Sequence, residues 1–327
     1  MLVYLHFPDL HPAWDFPQWA LEELSRSFPD HEFHLVRVRE WDEDALARAE
    51  VIIAWHLPAD VFVKAKTLHW LHTPAAGVKR LFYPQMVESE VVLTKGSGLN
   101  AEPVAEHVLA MMLAWHRGLH LVSRRPQAYQ EDRRLIFDRF LLMGPFGEKR
   151  TLIVGFGAIG RLLATHLIAL GQRVVGIRRT PTLAVGQSLS LYPLDRLEEL
   201  LPEVDFVVNL LPLTEETRGF FNRERFQLMK ESACLVNAGR GATVVEEDLV
   251  WALRERKIAG ACLDVFAKEP LPEDSPLWQM REVLISPHVA ATCADPWGPQ
   301  LELIKENLSR YLEGGPLLNQ VDKGSGY

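Results

Sequence analysis

Short apolar runs alternate with amphipathic stretches along the first third of the chain. Five runs rich in aliphatic and aromatic residues predict strands, and they read LVYLHF, FHLVRV, VIIAWH, LHWLHT and VVLTKG. Three stretches between them carry apolar residues at helical spacing, namely PQWALEELSRSF, DEDALARA and PADVFVKA. Strands that alternate with helices usually build a parallel sheet. The pattern therefore predicts a small α/β domain that starts with residues 1–99.

A second alternation follows a longer helix, for which Asn100 is a candidate N-cap and Glu102 suits the positive end. Six uniformly apolar runs then predict strands, and they read TLIVGFG, RVVGI, FVVNLL, CLVNAG, GACLDVF and VLISPHV. Strands this apolar belong to a parallel sheet that is covered on both faces. We therefore predict a second domain over residues 100–291. The last predicted helix, within residues 292–327, is expected to return to the first domain.

Composition and charge restrict the partners that this chain is expected to bind. Of its 327 residues, 48% are hydrophobic and 24% are charged, as in an ordinary globular protein. A net charge of −8 gives no general attraction to nucleic acid or to an anionic membrane, so neither partner is predicted.

The cysteines and the N-terminal stretch bear on redox state and location. Cys234, Cys262 and Cys293 form no CxxC pair, so neither a disulfide framework nor a metal site is predicted. Cys234 and Cys262 stand in apolar runs and are expected to be buried. The first residues lack the basic and long apolar segments of a signal peptide, and we expect a cytoplasmic protein.

A glycine-rich turn lies between the strand TLIVGFG and the helix that follows it. Gly155, Gly157 and Gly160 have the spacing G-x-G-x-x-G, which is a weak signal alone but is here flanked by a strand and a helix. Gly155 would permit the tight turn, Gly157 the approach of a pyrophosphate, and Gly160 close helix packing. The first N–H groups of the helix, at Ala158 and Ile159, would face the phosphates. These features predict a dinucleotide site.

Two cations, Arg178 and Arg179, end the next strand, where an acid usually binds the adenosine ribose. They are either a solvated charge pair or ligands of a 2′-phosphate, to which an arginine can bind bidentately. Because they directly follow the strand, we predict NADP as the cofactor, with NAD still possible.

The predicted fold is α/β, with a Rossmann-type doubly wound parallel sheet inserted in a smaller, flavodoxin-like domain.

Arg240, Glu269 and His288 each follow a predicted strand of the second domain. In open α/β sheets, ligands bind at the carboxyl ends of the strands. Each residue alone has another interpretation: Arg240 as the partner of a local carboxylate, Glu269 as a surface charge and His288 as a loop histidine. Together they form a chemically complete set for acid–base catalysis on an anionic substrate.

Five motifs, GFGAIG, LLPLTEETRG, NAGRG, LDVFAKEPLPEDSPLW and SPHVA, resemble the D-isomer-specific 2-hydroxyacid dehydrogenase family. The resemblance runs from about residue 50 to residue 312. The stretches AWHLPADV and SPHVAA, with the two arginines, are most similar to its glyoxylate/hydroxypyruvate reductase A branch. The resemblance implies an oxidoreductase that transfers a hydride between NADPH and a small 2-oxoacid, and that forms a homodimer.

The resemblance also implies roles for individual residues. Arg240 would bind the 2-oxoacid and polarise its carbonyl, His288 would be the general acid of reduction, and Glu269 would orient the imidazole and favour its protonated form. The resemblance further implies that Asp264 lies near the nicotinamide carboxamide, that Leu211, Pro212 and Thr217 lie along the cofactor, and that Ala238 and Gly239 lie against the nicotinamide ribose. It also implies that the N–H groups of Ala76 and Gly77 hold the substrate carboxylate.

Other interpretations remain open at this point. A phosphoglycerate or D-lactate-type dehydrogenase would share the scaffold, and so would a non-catalytic protein that senses dinucleotides. The linker RRPQAYQEDRRLIF departs from the usual stretch of the family, so no role is predicted for it.

Overall fold

A computed structural model of the chain describes residues 1–8, 14–124, 133, 134, 137, 144–179 and 188–324. Most of the linker RRPQAYQEDRRLIF lies outside these residues. The chain divides into two compact units, Met1–Leu99 with Cys293–Tyr327, and Asn100–Thr292. Each unit contains a parallel sheet, and the predicted α/β fold class is confirmed.

Strands and helices alternate along both units. The strands are β1 (Leu2–His6), β2 (Glu32–Val36), β3 (Val51–Ala54), β4 (Trp70–Thr73), β5 (Val92–Lys95), β6 (Arg150–Val154), β7 (Arg173–Ile177), β8 (Leu189–Tyr192), β9 (Phe206–Asn209), β10 (Cys234–Asn237), β11 (Gly260–Leu263) and β12 (Val283–Ile285). Within the described residues, the α-helices are α1 (Gln18–Ser27), α2 (Glu43–Arg48), α3 (Ala59–Phe62), α4 (Pro84–Glu88), α5 (Ala101–His116), α6 (Leu119–Arg124), α7 (Ala158–Ala169), α8 (Leu197–Leu200), α9 (Arg223–Leu228), α10 (Glu246–Arg254) and α11 (Gly298–Leu312).

The sheet of the first unit has the strand order β2-β1-β3-β4-β5, the doubly wound order of flavodoxin-like folds. The last helix, α11, contributes to this unit. Its buried Leu301, Ile304 and Leu308 follow helical spacing and join one apolar cluster with Val3 and Leu5 of β1. The segment after the second unit thus completes the core of the first.

The sheet of the second unit has the order β12-β11-β10-β9-β6-β7-β8. From β8 to β11 this is the Rossmann order 3-2-1-4-5-6, extended by β12. The strand order reverses between β6 and β9, and ligands of such sheets bind outside the carboxyl ends of the strands at this point. The apolar pattern did not predict β8, because its four residues are all only half-buried.

Helix α5 differs from the prediction at its first residue. Asn100 precedes the helix but its side chain forms no capping hydrogen bond. Its φ of −96° and ψ of 21° depart from the extended conformation that directs a capping side chain toward the first N–H groups. Glu102 does lie in the first turn.

Cys234 and Cys262 are free, buried thiols, as expected, and Cys293 is free and exposed. No helix in the described part of the chain has both the length and the apolar character that a membrane crossing requires.

Candidate active site

The glycine-rich turn between β6 and α7 has the geometry that a dinucleotide requires. Gly155 has a φ of +101°, and a Cβ atom there would lie 2.8 Å from the Leu210 backbone, so this position excludes other residues. A Cβ at Gly157 would meet nothing within 4 Å, which leaves open space beside the backbone. A Cβ at Gly160 would lie 3.0 Å from Gly155 O and 3.1 Å from Ile153, so the helix packs closely on the strand.

The first turn of α7 presents free donors toward this space. Gly157 precedes the helix and has no side chain that could cap it. The N–H groups of Ala158, Ile159 and Gly160 belong to the first turn, where a helix offers no acceptor of its own. Their alignment with the helix dipole favours an anion such as a pyrophosphate. The turn therefore fits a dinucleotide cofactor.

Arg178 and Arg179 directly follow β7. Arg178 N donates to Tyr192 O, which fixes its backbone beside the end of β8. Arg178 is half-buried and Arg179 is exposed. In the described part of the chain, no carboxylate pairs with either guanidinium. Both cations are thus available to an anionic ligand at the carboxyl end of β7.

The backbones at the ends of β6, β9 and β10 approach one another closely. A Cβ at Gly239 would lie 2.8 Å from Leu211 O, so the loop after β10 contacts the loop after β9. Ala238 is partly buried beside it. The structure thus brings together Gly155, Leu211 and Gly239, three of the predicted cofactor residues.

The loop after β9 is closed by Thr217. Its hydroxyl accepts from Thr214 N at 2.8 Å and donates to Pro212 O at 2.6 Å. The loop is joined to the sheet because Leu211 N donates to the side-chain oxygen of Asn209. Thr217 therefore shapes this loop through its own hydrogen bonds.

A buried polar network holds the loop that carries Arg240. The side-chain nitrogen of Asn209 donates to Asn237 Oδ1 at 3.0 Å and to Thr243 Oγ1 at 2.6 Å. Thr243 Oγ1 in turn donates to the carbonyl oxygen of Arg240 at 2.6 Å. Asn209, Asn237 and Thr243 are fully or almost fully buried. Sequence reasoning missed all three roles, although Asn209 and Asn237 end the apolar runs FVVN and CLVN.

Arg240 also lies next to the loop that carries Glu269. A Cβ at Gly241 would lie 1.8 Å from the backbone carbon of Phe266, so these two loops touch. Phe266 N donates to Glu269 Oε1 at 3.0 Å. The guanidinium of Arg240 donates to Gly239 O at 2.7 Å and is only partly buried.

Glu269 and His288, the predicted acid–base pair, are in direct contact. Glu269 Oε2 lies 2.6 Å from His288 Nδ1, and both side chains are partly exposed. His288 has a φ of +55°, in the left-handed region that non-glycine residues seldom adopt. Such a conformation persists only when the surrounding structure holds it.

Asp264 holds the loop that carries His288 through hydrogen bonds to its backbone. Its side chain is 1% exposed, and its two oxygens accept from Val289 N at 3.0 Å and from Ala290 N at 3.1 Å. Ser286 Oγ donates to the same carboxylate. The carboxylate of Asp264 thus bonds to protein donors on both sides of His288.

His107 on α5 completes this arrangement. Its Nε2 lies 2.9 Å from Ser286 Oγ and 3.5 Å from Asp264 Oδ1. The motif AEH at the start of α5 carries no signal that it meets a loop far along the chain.

In the first unit, the loop after β4 contains Ala76 and Gly77. Its first residues have internal partners: Thr73 O accepts from Gly96 N, Thr73 Oγ1 donates to Trp55 O, and Ala75 N donates to Thr73 Oγ1. Among the described residues, no acceptor faces the N–H groups of Ala76 and Gly77, and both residues are exposed. Successive unpaired N–H groups suit an anion.

The comparisons with known proteins point to one family of enzymes. The family model for the NAD binding domain of D-isomer specific 2-hydroxyacid dehydrogenases matches residues 109–290. Glyoxylate/hydroxypyruvate reductase A of Photorhabdus laumondii is 30% identical over 331 residues, covering 97% of this chain and 98% of that protein.

Two solved structures are similar over the whole length. A D-isomer specific 2-hydroxyacid dehydrogenase from Xanthobacter autotrophicus Py2, in complex with NADPH and MES, has a TM-score of 0.81 and 31% identity, and 100% of this chain and 99% of that chain are covered. An NADPH-dependent glyoxylate/hydroxypyruvate reductase from Sinorhizobium meliloti, in complex with NADP and sulfate, has a TM-score of 0.81 and 27% identity, with 100% of both chains covered.

Fold and site together define an NAD(P)-dependent oxidoreductase. The chain belongs to the D-isomer specific 2-hydroxyacid dehydrogenase family. The family predicted from the motifs is confirmed, and so is an enzyme that interconverts 2-oxoacids and 2-hydroxyacids.

Proposed function

We propose that this enzyme reduces glyoxylate or hydroxypyruvate with NADPH and gives the corresponding 2-hydroxyacid. The observation that carries the acid–base role is the contact between Glu269 and His288, beside the loop of Arg240. The names of the relatives from Photorhabdus laumondii and Sinorhizobium meliloti support the substrates. The NADPH and NADP bound in two similar structures, together with Arg178 and Arg179, support the cofactor.

His288 is the proton donor in this proposal. When bound, the reduced nicotinamide would supply the hydride for the carbonyl carbon. Glu269 occupies Nδ1, so Nε2 is the nitrogen that delivers a proton to the carbonyl oxygen. The carboxylate of Glu269 also stabilises the imidazolium and keeps the ring in one orientation. In the oxidative direction, neutral His288 removes the hydroxyl proton.

Arg240 binds the substrate and stabilises the charge that develops on its oxygen. A guanidinium near the carbonyl polarises it and offsets the negative charge of the forming alkoxide. The network beneath its backbone matters because a small displacement of this donor weakens that interaction.

Separate segments of the two units bind the other charges. In the second unit, Ala158, Ile159 and Gly160 bind the pyrophosphate, Arg178 and Arg179 bind the 2′-phosphate, and the residues Leu211, Pro212, Thr217, Ala238 and Gly239 border the rest of the cofactor. Because the carboxylate of Asp264 bonds to protein donors, its contribution near the nicotinamide is made through the loop that it holds. In the first unit, the N–H groups of Ala76 and Gly77 bind the substrate carboxylate. The two units accordingly act as the cofactor-binding and substrate-binding domains.

The enzyme acts as a homodimer in the cytoplasm in this proposal. Leu109 and Leu113 lie one turn apart on α5 and are both only half-buried, and Leu119 on α6 is 60% exposed. Apolar side chains left partly exposed on neighbouring helices suit a symmetric contact. Three free thiols suit a reducing compartment. A sedimentation experiment that finds only a 37.2 kDa species at micromolar concentration would exclude the dimer.

A panel of 2-oxoacids tests the proposed function. Glyoxylate, hydroxypyruvate, phosphohydroxypyruvate and pyruvate are assayed by absorbance with NADPH and NADH in parallel. The highest kcat/KM is expected for glyoxylate or hydroxypyruvate with NADPH, and His288→Ala is expected to lower it by about 10²- to 10⁴-fold. Preference for phosphohydroxypyruvate or pyruvate would assign the phosphoglycerate or lactate type. Tight NADPH binding without turnover of any acid would identify a dinucleotide sensor.

A further inference from the structure

A chain of buried polar side chains runs beneath the loop of Ala76 and Gly77 in the first unit. Trp70 and His72 belong to β4 and Thr94 to the neighbouring β5, and all three are fully buried. Trp70 Nε1 donates to Thr94 Oγ1 at 2.8 Å, and Thr94 Oγ1 lies 2.8 Å from His72 Nδ1. Gln300 of α11, which is 4% exposed, completes the group. We call these four residues the Gln300 network.

The hydrogen bonds of this network run in one direction, from Trp70 to Thr94 and from Thr94 to His72. The Trp70 indole can only donate, so it occupies an acceptor site of the Thr94 hydroxyl. In the described part of the chain that hydroxyl has no other acceptor, and its proton therefore goes to His72 Nδ1. Burial lowers the pKa of His72 to about 4, so the ring is neutral at pH 7 and carries its proton on Nε2.

The side-chain amide of Gln300 links His72 to the loop after β4. The Gln300 amide lies against His72, where its hydrogen-bonding effect partly opposes the effect of burial on the pKa of that ring. His72 Nε2 and Gln300 Oε1 are the two atoms of the network that lack a hydrogen bond of ordinary geometry, and one is a donor and the other an acceptor. The other end of the amide, Gln300 Nε2, donates to the carbonyl oxygen of Pro74 at 2.7 Å.

Gly96 provides the space for that last hydrogen bond. A Cβ at this position would lie 2.3 Å from Gln300 Nε2 and also 2.3 Å from Pro74 O. Any side chain at residue 96 would thus separate the donor from the acceptor. Pro74 is two residues before Ala76, whose N–H group is unpaired, so the position of its carbonyl sets the orientation of the peptide units that follow.

From this arrangement we propose that Gln300 is a positioning residue for substrate binding, because its amide holds Pro74 and thereby orients the N–H groups of Ala76 and Gly77 toward the substrate carboxylate. This inference rests on the proposed function, in which those N–H groups bind a 2-oxoacid. Donors that are already oriented bind an anion without a cost for ordering the loop. Loss of the Gln300 contact therefore weakens substrate binding more than the chemical step.

Three variants test the role of Gln300 in the full-length enzyme, with glyoxylate and NADPH. Gln300→Leu keeps the approximate volume and removes both polar ends of the amide. It is expected to raise the KM for glyoxylate about tenfold, as loss of one buried hydrogen bond would, with kcat and the KM for NADPH nearly unchanged. Gly96→Ala leaves Gln300 in the chain but separates it from Pro74, and the same rise in KM is expected.

Gln300→Glu adds a pH-dependent readout that a purely structural role would not produce. A protonated carboxyl can donate to Pro74 O, whereas an ionised one cannot. Burial favours the neutral form of the introduced carboxyl, and the neutral ring of His72 that faces it adds no charge to oppose this effect, so its pKa is expected to rise toward the range of the assay. Relative to the wild type at each pH, the KM of this variant is expected to be near normal at about pH 5.5 and raised severalfold at about pH 8.5, following that burial effect.

Asn307→Leu is the matched control. Asn307 lies on the same helix two turns further on, is fully buried, and bonds to the Leu318 backbone instead of the loop. It is expected to lower the melting temperature without raising the KM for glyoxylate. If Asn307→Leu and Gln300→Leu raised that KM equally, general destabilisation would explain the result and the inference would be overturned.

The outcomes separate this inference from the proposed function. A wild-type enzyme without turnover on any 2-oxoacid would overturn both. Wild-type turnover with an unchanged KM for glyoxylate in Gln300→Leu and Gly96→Ala would overturn the inference alone. If Gln300→Leu does not fold, the pH dependence of Gln300→Glu decides the question: a KM ratio to wild type that is constant with pH would overturn the role of the Pro74 contact.

Discussion

Glu269 joins the backbone of its own loop to the imidazole of His288. One carboxylate oxygen accepts from Phe266 N at 3.0 Å, and the other lies 2.6 Å from His288 Nδ1. A carboxylate fixed at one oxygen can hold the ring in one orientation with the other. The arrangement leaves Nε2 as the nitrogen that can meet a substrate.

The first prediction removes the charge of this carboxylate. Glu269→Gln keeps the shape of the side chain but no longer stabilises the imidazolium electrostatically. We expect kcat/KM for the 2-oxoacid to fall about 10²-fold, the lower end of what general acid–base catalysis contributes. Steady-state kinetics with NADPH measure it. Glu273→Gln, at an exposed carboxylate in the same loop, is the control and should match the wild type. Equal rates for Glu269→Gln and the control would remove Glu269 from the mechanism.

The second prediction concerns the hydroxyl of Thr243 beneath Arg240. Thr243→Val keeps the shape but removes the donor to Arg240 O and the acceptor for Asn209. Since Arg240 is proposed to bind both the substrate and the forming alkoxide, kcat/KM is expected to fall about tenfold or more, as for one buried hydrogen bond. Thr243→Ser retains the hydroxyl and should restore most of the activity. A Thr243→Val enzyme with normal kcat/KM would show that Arg240 is positioned without this network.

The third prediction concerns cofactor choice. If Arg178 binds a 2′-phosphate, the wild type should prefer NADPH over NADH by about tenfold or more, since each contact to a charged group contributes about 1.5–3 kcal/mol before screening. Arg178→Asp should reverse the preference, because an acid repels the phosphate and accepts from the free ribose hydroxyls. The measurement is kcat/KM for both cofactors at low and moderate salt.

Arg173→Asp is the control for cofactor choice, because Arg173 is exposed at the opposite end of β7. It should leave the preference unchanged. A wild type that prefers NADH would mean that both arginines are solvated charges. An unchanged NADPH preference in Arg178→Asp would assign the phosphate to Arg179.

Periodicity predicted the strands well where their residues are uniformly apolar, as in β6, β9 and β10. It failed for β8, whose half-buried residues LSLY lack that signal. The motifs at the strand ends identified Arg240, Glu269 and His288 as candidates, because a parallel sheet places its carboxyl ends along one edge.

The groups that hold these residues have no local signal. The amide of Gln300 bonds to a carbonyl 226 residues away, and His107 meets a hydroxyl 179 residues away. Their partners depend on how the helices pack on each sheet. The hydrophobic periodicity of a single sequence predicts the elements but not this packing. A buried polar residue in an apolar run, such as Asn209, indicates that some partner exists but does not identify it.

The last prediction follows from the buried ring of His72. Its pKa is lowered to about 4 in the folded protein by burial, whereas an unfolded chain titrates near the ordinary value of 6.5. Between these values the unfolded state binds a proton that the folded state does not. The free energy of unfolding therefore falls as the pH drops from about 6.5 to about 4, and the stability is fully present above that window.

This linkage amounts to about 3.5 kcal/mol at most, since each unit of pKa difference corresponds to about 1.4 kcal/mol. Hydrogen exchange of peptides that cover β4 and β5, corrected for the intrinsic rate at each pH, measures the free energy of opening of the two strands that carry His72 and Thr94.

His72→Asn removes the titration and keeps an acceptor for the Thr94 hydroxyl. Other buried histidines, such as His6, titrate in both proteins and cancel in the difference. The wild type should lose protection more steeply than His72→Asn below about pH 6.5, the ordinary histidine pKa. Parallel pH profiles would show that the His72 ring takes up a proton without opening the sheet.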